Sequence, residues 1–142
     1  MVALKTKPKL KQKSLSQLKK QAWDLLSQCI RREAADSSGN VICYTCGATH
    51  HWKEIQAGHA IGGRHNAVLL NESVIRPQCM ICNIFKRGNY QTFITKLIVE
   101  NGFEWWTAQL ADSRSTLKYD RIALESLKAG YKARLQALEA IT

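Results

Sequence analysis

Hydrophobic positions that recur at steps of three and four residues predict two long amphipathic helices, one near each end of the chain. Over residues 14–35 the repeating positions share one helical face: Leu15, Leu18, Ala22, Leu25 and Cys29. Over residues 117–138 a second stripe is formed by Leu117, Leu124, Leu127, Tyr131, Leu135 and Leu138. The turn-forming residues 36–40 end the first helix. Cys29, on the first stripe, is expected to be a small buried hydrophobic residue.

The middle of the chain alternates β-prone runs with loop residues. Residues 55–61 form a short apolar run, which predicts a strand ending at His59 or Ala60. Residues 68–70 and 73–76 are predicted to return as β structure, and Pro77 is expected to end that strand because it cannot donate to a ladder. The pattern therefore favours a small antiparallel pair between the two long helices.

Three further helices are predicted beyond this pair. They cover residues 79–86, residues 90–100 with Asn89 as a side-chain cap, and residues 103–110. Trp105 and Trp106 in the last of these are expected to pack in the core, since large aromatic side chains dominate small cores. The predicted class is α+β and mainly helical.

Composition adds a strong charge bias to this picture. The 142 residues are 45% hydrophobic, enough for one compact domain, but 21 Lys and Arg face only 11 Asp and Glu, which gives a net charge of +10. This excess predicts a polyanionic partner, first of all nucleic acid. No apolar run is long enough to span a membrane. Residues 1–13 hold five lysines and no acid and are predicted to be a flexible basic arm, so residues 14–142 form the single domain.

Four of the five cysteines form two CxxC pairs, Cys43 with Cys46 and Cys79 with Cys82. The start of the chain shows no secretory signal, and paired CxxC motifs in a reduced compartment are typical of zinc sites. A site with four thiolate ligands has no open position, so we expect the zinc to be structural. A redox role is less favoured, because no βαβ pattern surrounds either pair.

His59 and Asn83 are the candidate chemical groups within this zinc frame. His59 ends the predicted strand and titrates near neutral pH, so it is a candidate general base for water. Asn83 follows a zinc ligand directly, and its amide oxygen could bind a hard cation such as Mg²⁺ or Mn²⁺. Phosphate contacts are expected from nearby cations: Arg64, Arg76, Lys86 and Arg87.

The sequence resembles the HNH, or ββα-metal, endonucleases that carry a four-cysteine zinc. The resemblance is carried by the two CxxC pairs, by Ala57-Gly58-His59 and by the run Pro77-Gln-Cys-Met-Ile-Cys-Asn-Ile-Phe-Lys-Arg-Gly-Asn89. More narrowly, the sequence resembles the phage NinG (Rap) recombination proteins. The resemblance implies a zinc-bound ββα-metal core over about residues 41–90, flanked by N- and C-terminal helices. It implies His59 as base, Asn83 as ligand of one catalytic cation, and cleavage of branched DNA such as Holliday junctions or D-loops. It further implies a bacteriophage protein acting in the host cytoplasm.

Two positions depart from the HNH pattern. Gly58 stands where many of these enzymes carry an acidic cation ligand, which leaves the second ligand open among four candidates: His51, Glu54, His65 and Glu72. Val74 stands at the middle asparagine, which usually braces the loop and orients the histidine. Asn71 or a backbone carbonyl is expected to substitute for it.

Two other functions fit the same residues. One is a non-catalytic, zinc-containing DNA-binding adaptor in recombination, which the charge supports equally well. The other is an HNH nuclease of the restriction or homing type. The C-terminal stripe either covers the core or pairs two subunits, and a homodimer is slightly favoured because it would suit a junction with two-fold symmetry.

Overall fold

The computed structural model describes residues 3–8 and 11–141. The class is α+β and mainly helical, as predicted, with elements in this order: α1 Leu15–Glu33, β1 Asn40–Ile42, β2 Thr49–His51, β3 Gln56–His59, α2 Asn66–Leu69, a 3₁₀ turn Glu72–Val74, β4 Ile75–Gln78, a π-type turn Ile81–Phe85, α3 Tyr90–Asn101, α4 Phe103–Ser113 and α5 Arg121–Glu139. In the predicted basic arm, residues 3–8 and 11–13 are exposed and carry no helix or strand. Residues 1, 2, 9 and 10 of that arm, and Thr142, lie outside the described residues. None of the described helices combines the length and apolarity needed to cross a bilayer.

Helix α1 is fixed at its start by a capping box and packs against α5. Ser14 accepts from the backbone N–H of Gln17, whose side chain accepts in return from the Ser14 N–H. The apolar faces of the two helices meet in one core cluster: Ala22, Leu26, Cys29, Tyr131 and Leu135. The buried part of the C-terminal stripe therefore covers α1 within the same chain. Cys29 is fully buried there, as predicted.

Helix α5 begins later than the leucine stripe predicts. The Asp120 side chain accepts from the backbone N–H of Ala123 at 2.7 Å, which sets the first turn at Arg121. Leu117 lies before the helix, and its carbonyl accepts from the side chain of Asn66 instead. Farther along α5, Arg134 forms ion pairs with Glu33 of α1 and with Glu72.

Strands β3 and β4 form an antiparallel pair in which His59 lies opposite Ile75 and Ala57 opposite Pro77. The predicted strand ending at His59 is confirmed, and so is the antiparallel return over Ile75 and Arg76. The predictions of β structure over residues 68–70 and at 73–74, and of a strand end at Pro77, are wrong. Residues 66–69 form a short helix, and residues 72–74 form a 3₁₀ turn because the Asn71 side chain accepts from the N–H of Ser73. Pro77 lies inside β4: its carbonyl accepts from the Tyr44 N–H at 2.9 Å, so its missing donor faces away from β3.

The segment that carries the second CxxC pair forms a wide helical turn, close to the helix predicted over 79–86. The Lys86 N–H bonds to the carbonyl of Ile81, five residues earlier. Asn89 is the N-cap residue of α3, as predicted, but its side chain makes no capping hydrogen bond. Its backbone is left-handed, with φ of 45°, and its side-chain nitrogen lies 3.8 Å from the sulfur of Cys82.

Helices α3 and α4 close the fold over a second core cluster. Phe93 and Leu97 of α3 pack with Trp106 of α4, and Ala60 and Val74 complete the cluster. Trp106 is 5% exposed, which confirms its predicted place in the core. Through Ala60 and Val74, this cluster holds both ends of the segment between β3 and β4.

Candidate metal and nucleic-acid site

The four paired cysteines lie together, as the sequence predicts. Their sulfur atoms all lie within 4.8 Å of one another, and the Sγ atoms of Cys46 and Cys79 are 3.7 Å apart. A tetrahedral zinc with Zn–S bonds of about 2.3 Å places its sulfurs about 3.8 Å apart. The donor set and its spacing therefore fit a structural zinc ion.

Hydrogen bonds to the sulfurs prepare this cluster for a cation. The Cys79 N–H donates to Cys43 Sγ at 3.3 Å. Burial raises the pKa of Cys43, but bonds from the backbone of Cys79 and Cys46 outweigh it and lower that pKa to about 6. Burial raises the pKa of Cys79 to about 12, and the neighbouring thiols add to this. One thiolate thus forms easily, whereas full deprotonation needs a cation.

His59 is held as a neutral imidazole at the end of β3. It is 9% exposed, and its Nε2 lies 3.0 Å from the carbonyl oxygen of Leu69. A carbonyl only accepts, so Nε2 carries the proton and Nδ1 keeps the lone pair. Burial lowers the pKa of His59; the Leu69 carbonyl opposes this shift, and the charge of Arg64 adds to it. The ring of Trp23 lies against it, with centroids 4.6 Å apart.

The loop around His59 is braced without an asparagine at Val74. The Leu69 carbonyl orients the imidazole. Asn71 holds the loop, because its side-chain nitrogen donates to Gln109 of α4 at 2.9 Å while its oxygen accepts from the Ser73 N–H. The Leu69 carbonyl thus fixes the imidazole, and Asn71 fixes the loop that carries this carbonyl.

Asn83 lies at a cationic cleft of about 390 Å³. Its amide nitrogen donates to the side chain of Gln56 on β3 at 2.8 Å, which leaves the amide oxygen available. The cleft is also lined by three basic residues, Arg31, Lys53 and Arg64. His59 lies three residues after Gln56, but its ring packs against Trp23 and does not line the cleft. His59 therefore lies on β3 and Asn83 is bonded to β3, but only Asn83 lines the cleft.

The structure separates the four candidates for a second cation ligand. Glu54 is exposed and lines the same cleft as Asn83. The other three are engaged elsewhere: Nδ1 of His51 accepts from the Lys53 N–H, Nε2 of His65 bonds to the Ser113 carbonyl, and Glu72 pairs with Arg134. Of the four candidates, Glu54 is therefore the one that could bind a hard cation together with Asn83 at this cleft.

The four predicted phosphate contacts have different surroundings. Arg64 lines the cleft with its guanidinium 5.1 Å from the Trp23 ring, and Lys86 and Arg87 are exposed after the wide turn. Arg76 instead donates to backbone carbonyls of three neighbouring residues, Glu72, Ser73 and Ile75. Its guanidinium braces the 3₁₀ turn, so it has less freedom to reach a phosphate.

Sequence reasoning missed two basic residues of the cleft, Arg31 and Lys53. Arg31 lies outside the hydrophobic stripe of α1, and its guanidinium donates to the Trp52 carbonyl at 2.7 Å. That contact joins the end of β2 to α1 and sets Lys53 beside the cleft. The sequence signal was Trp52 followed directly by Lys53. This pair indicates a cleft residue only when it is known that the segment packs against α1.

Comparison with known proteins gives one match. The chain matches no curated protein and no solved structure. The sequence model of one family, described as Bacteriophage Lambda NinG protein, matches residues 2–140. This match spans nearly the whole chain and includes the four cysteines. The chain therefore belongs to the Bacteriophage Lambda NinG family.

Proposed function

We propose that this protein is a divalent-cation-dependent DNA endonuclease of the HNH, or ββα-metal, type that acts on branched DNA in phage recombination. The observation that carries the proposal is a neutral His59 with a fixed tautomer, on the strand that also anchors Asn83 at a cationic cleft. A general base, a cation-binding oxygen and phosphate-binding groups are what phosphodiester hydrolysis requires.

The DNA backbone is bound by a basic track across α1. Arg31, Lys53 and Arg64 line the cleft at Asn83. A neighbouring cleft of about 450 Å³ shares Trp23 and Arg64 and adds Lys19 and Lys20. Five cations along two adjoining clefts suit a chain of phosphates, whose binding is dominated by such contacts.

His59 accepts a proton from the attacking water at Nδ1. Its Nε2–H continues to donate to the Leu69 carbonyl, which stabilises the imidazolium that forms. The lowered pKa keeps the ring unprotonated and ready to act at neutral pH. Water reaches Nδ1 when Trp23 moves off the imidazole, and a phosphate that draws Arg64 away from the Trp23 ring would free Trp23 to move.

Asn83 and Glu54 would hold the catalytic Mg²⁺ or Mn²⁺ through oxygen atoms. When bound, such a cation neutralises the phosphate charge and stabilises the leaving oxygen. The structural zinc supports this arrangement from a distance. Cys82 precedes Asn83 directly, so a zinc on the cysteines fixes the turn that presents Asn83 to Gln56.

Purified, zinc-loaded protein should cut four-way junctions faster than linear duplexes when Mg²⁺ or Mn²⁺ is added. Asn83→Leu should abolish cleavage, because it removes the amide oxygen, whereas Asn83→Asp should retain part of it. Gel analysis of end-labelled DNA measures both. Cleavage by Asn83→Leu at the wild-type rate would contradict the role of this residue.

The burial of His59 favours a second candidate, a non-catalytic zinc-containing DNA-binding adaptor. A histidine that is 9% exposed and covered by Trp23 can equally serve as a structural core residue. The same assay separates the two functions. Salt-sensitive binding of DNA with no cleavage under any divalent cation would select the adaptor.

A further inference from the structure

Four large apolar side chains stand exposed on the turn that carries Asn83. They form an apolar ridge, with exposed fractions of 49% for Met80, 57% for Ile81, 54% for Ile84 and 72% for Phe85. None of the four belongs to the core clusters of the described chain. Ile81 and Phe85, like Met80 and Ile84, are four residues apart and share a side of the turn. The four side chains of the ridge therefore lie close together in sequence on one short turn.

The zinc ligands prevent this ridge from turning inward. Cys82 lies within the same turn and Cys79 just before it, and both are buried at the four-sulfur cluster. Rotating the turn to bury Phe85 would remove Cys82 from that cluster. The exposure of the ridge is thus fixed by the fold, and exposed apolar surface of this kind marks an interaction site.

The charge around the ridge selects its partner. From residue 73 to residue 99 the chain contains no Asp or Glu, but it contains Arg76, Lys86, Arg87 and Lys96. Lys86 and Arg87 follow Phe85 directly and are exposed. An occupant must therefore combine negative charge with flat apolar surfaces, which is the chemistry of a nucleic acid whose bases are accessible.

We propose that the apolar ridge contacts unstacked bases at the branch point of DNA, with Phe85 as the stacking residue. This inference rests on the proposed DNA substrate and specifies how a branch is recognised. An intact duplex hides its base faces, whereas a branch or an opened step exposes them, and apolar side chains enter such steps. Asn83 lies on the same turn as the ridge and lines the cationic cleft, so this turn connects the bound branch point to the cleft.

The test compares binding of zinc-loaded wild type and Phe85→Ala to a four-way junction and to a linear duplex of equal length, without a cleavage-supporting cation. Fluorescence anisotropy should show junction affinity reduced between about 5-fold and 100-fold, as for the loss of one stacking contact, and duplex affinity nearly unchanged. Phe85→Trp should restore junction binding. Ile122→Ala, at a residue 81% exposed on α5, is the matched control and should bind both DNAs like wild type.

The outcomes separate this inference from the nuclease proposal. Equal losses of affinity for both DNAs, or no loss for either, in a Phe85→Ala protein with full zinc content would overturn the ridge assignment. Neither result would contradict the nuclease proposal. Junction discrimination through Phe85 in a protein that never cuts DNA would support the ridge and remove the nuclease. A wild type that sediments as a dimer, with Phe85→Ala monomeric, would instead assign the ridge to self-association.

Discussion

The side-chain amide of Gln78 occupies the space that a side chain at residue 58 would need. A Cβ on Gly58 would lie 2.1 Å from Gln78 Oε1. Gln78 is fully buried, and its Nε2 donates to Thr45 in the first CxxC pair and to the Gly88 carbonyl after the second. The glycine that interrupts the HNH pattern is thus required by an amide that ties β4 to both halves of the zinc cluster.

Gly58→Ala should destabilise the zinc-loaded protein by about 1–3 kcal/mol, because the new methyl group overlaps a buried amide that cannot move freely. Urea unfolding measures the change. Gly130→Ala is the matched control: this glycine lies within α5 with open space around it, and its substitution should stabilise the protein by about 0.5–1 kcal/mol. A neutral Gly58→Ala would show that Gln78 does not fill this space.

Zinc binding should depend on the four clustered cysteines and not on Cys29. Cys82→Ser should lower the zinc content and unfold the surrounding cluster of Val41, Ile55 and Cys79, since the site then lacks a ligand. Cys29→Ala should keep one zinc per chain, because Cys29 lies in the other core cluster against Tyr131. Elemental analysis of the purified variants gives the count. A full zinc complement in Cys82→Ser would refute the site.

Stability should fall in mild acid because of His59. Burial lowers its pKa in the folded state below the ordinary 6.5, so the unfolded chain binds a proton at a pH where the folded chain does not. The contribution of neutral His59 to the free energy of unfolding is therefore complete above about pH 6.5, and it decreases as the pH falls toward the folded pKa. His59→Asn should flatten this part of the profile, measured by urea unfolding from pH 7.5 to 5.5 on zinc-loaded protein. An unchanged slope would mean that His59 titrates normally in the folded chain.

DNA affinity should depend on the cleft cations more than on other surface lysines. Lys53→Ala and Arg64→Ala should each weaken binding and reduce the slope of log affinity against log salt by about one, since each removes a phosphate contact. Lys118→Ala is the control, because Lys118 is exposed outside both clefts. Equal effects from Lys118 and Lys53 would indicate general charge attraction without a defined track.

The features that sequence predicted well are those fixed by local pattern. The α1 stripe, the strand ending at His59 and the paired cysteines follow from spacing alone. The failures depend on distant partners. Pro77 fits inside β4 because the Tyr44 N–H lies on its outer side, and the Asn89 side chain faces Cys82 Sγ and not the start of α3.

The candidate site divides in the same way. Sequence motifs point to His59, Asn83 and the zinc ligands. They do not point to Arg31 or Lys53 as residues of the cleft, and they do not distinguish Glu54 from the other candidate ligands. These depend on the packing of the β2 end against α1, through the bond from Arg31 to the Trp52 carbonyl. No local pattern encodes a contact between residues 21 positions apart.

The most direct test of the central proposal is single-turnover cleavage of a four-way junction by wild type and His59→Ala, each with full zinc content and added Mg²⁺. Loss of the general base should lower the rate by about 10²–10⁴-fold. His50→Ala, which removes a histidine from β2 outside the cleft, should cut at the wild-type rate. Cleavage by His59→Ala at the wild-type rate would contradict the assignment of His59 as the base.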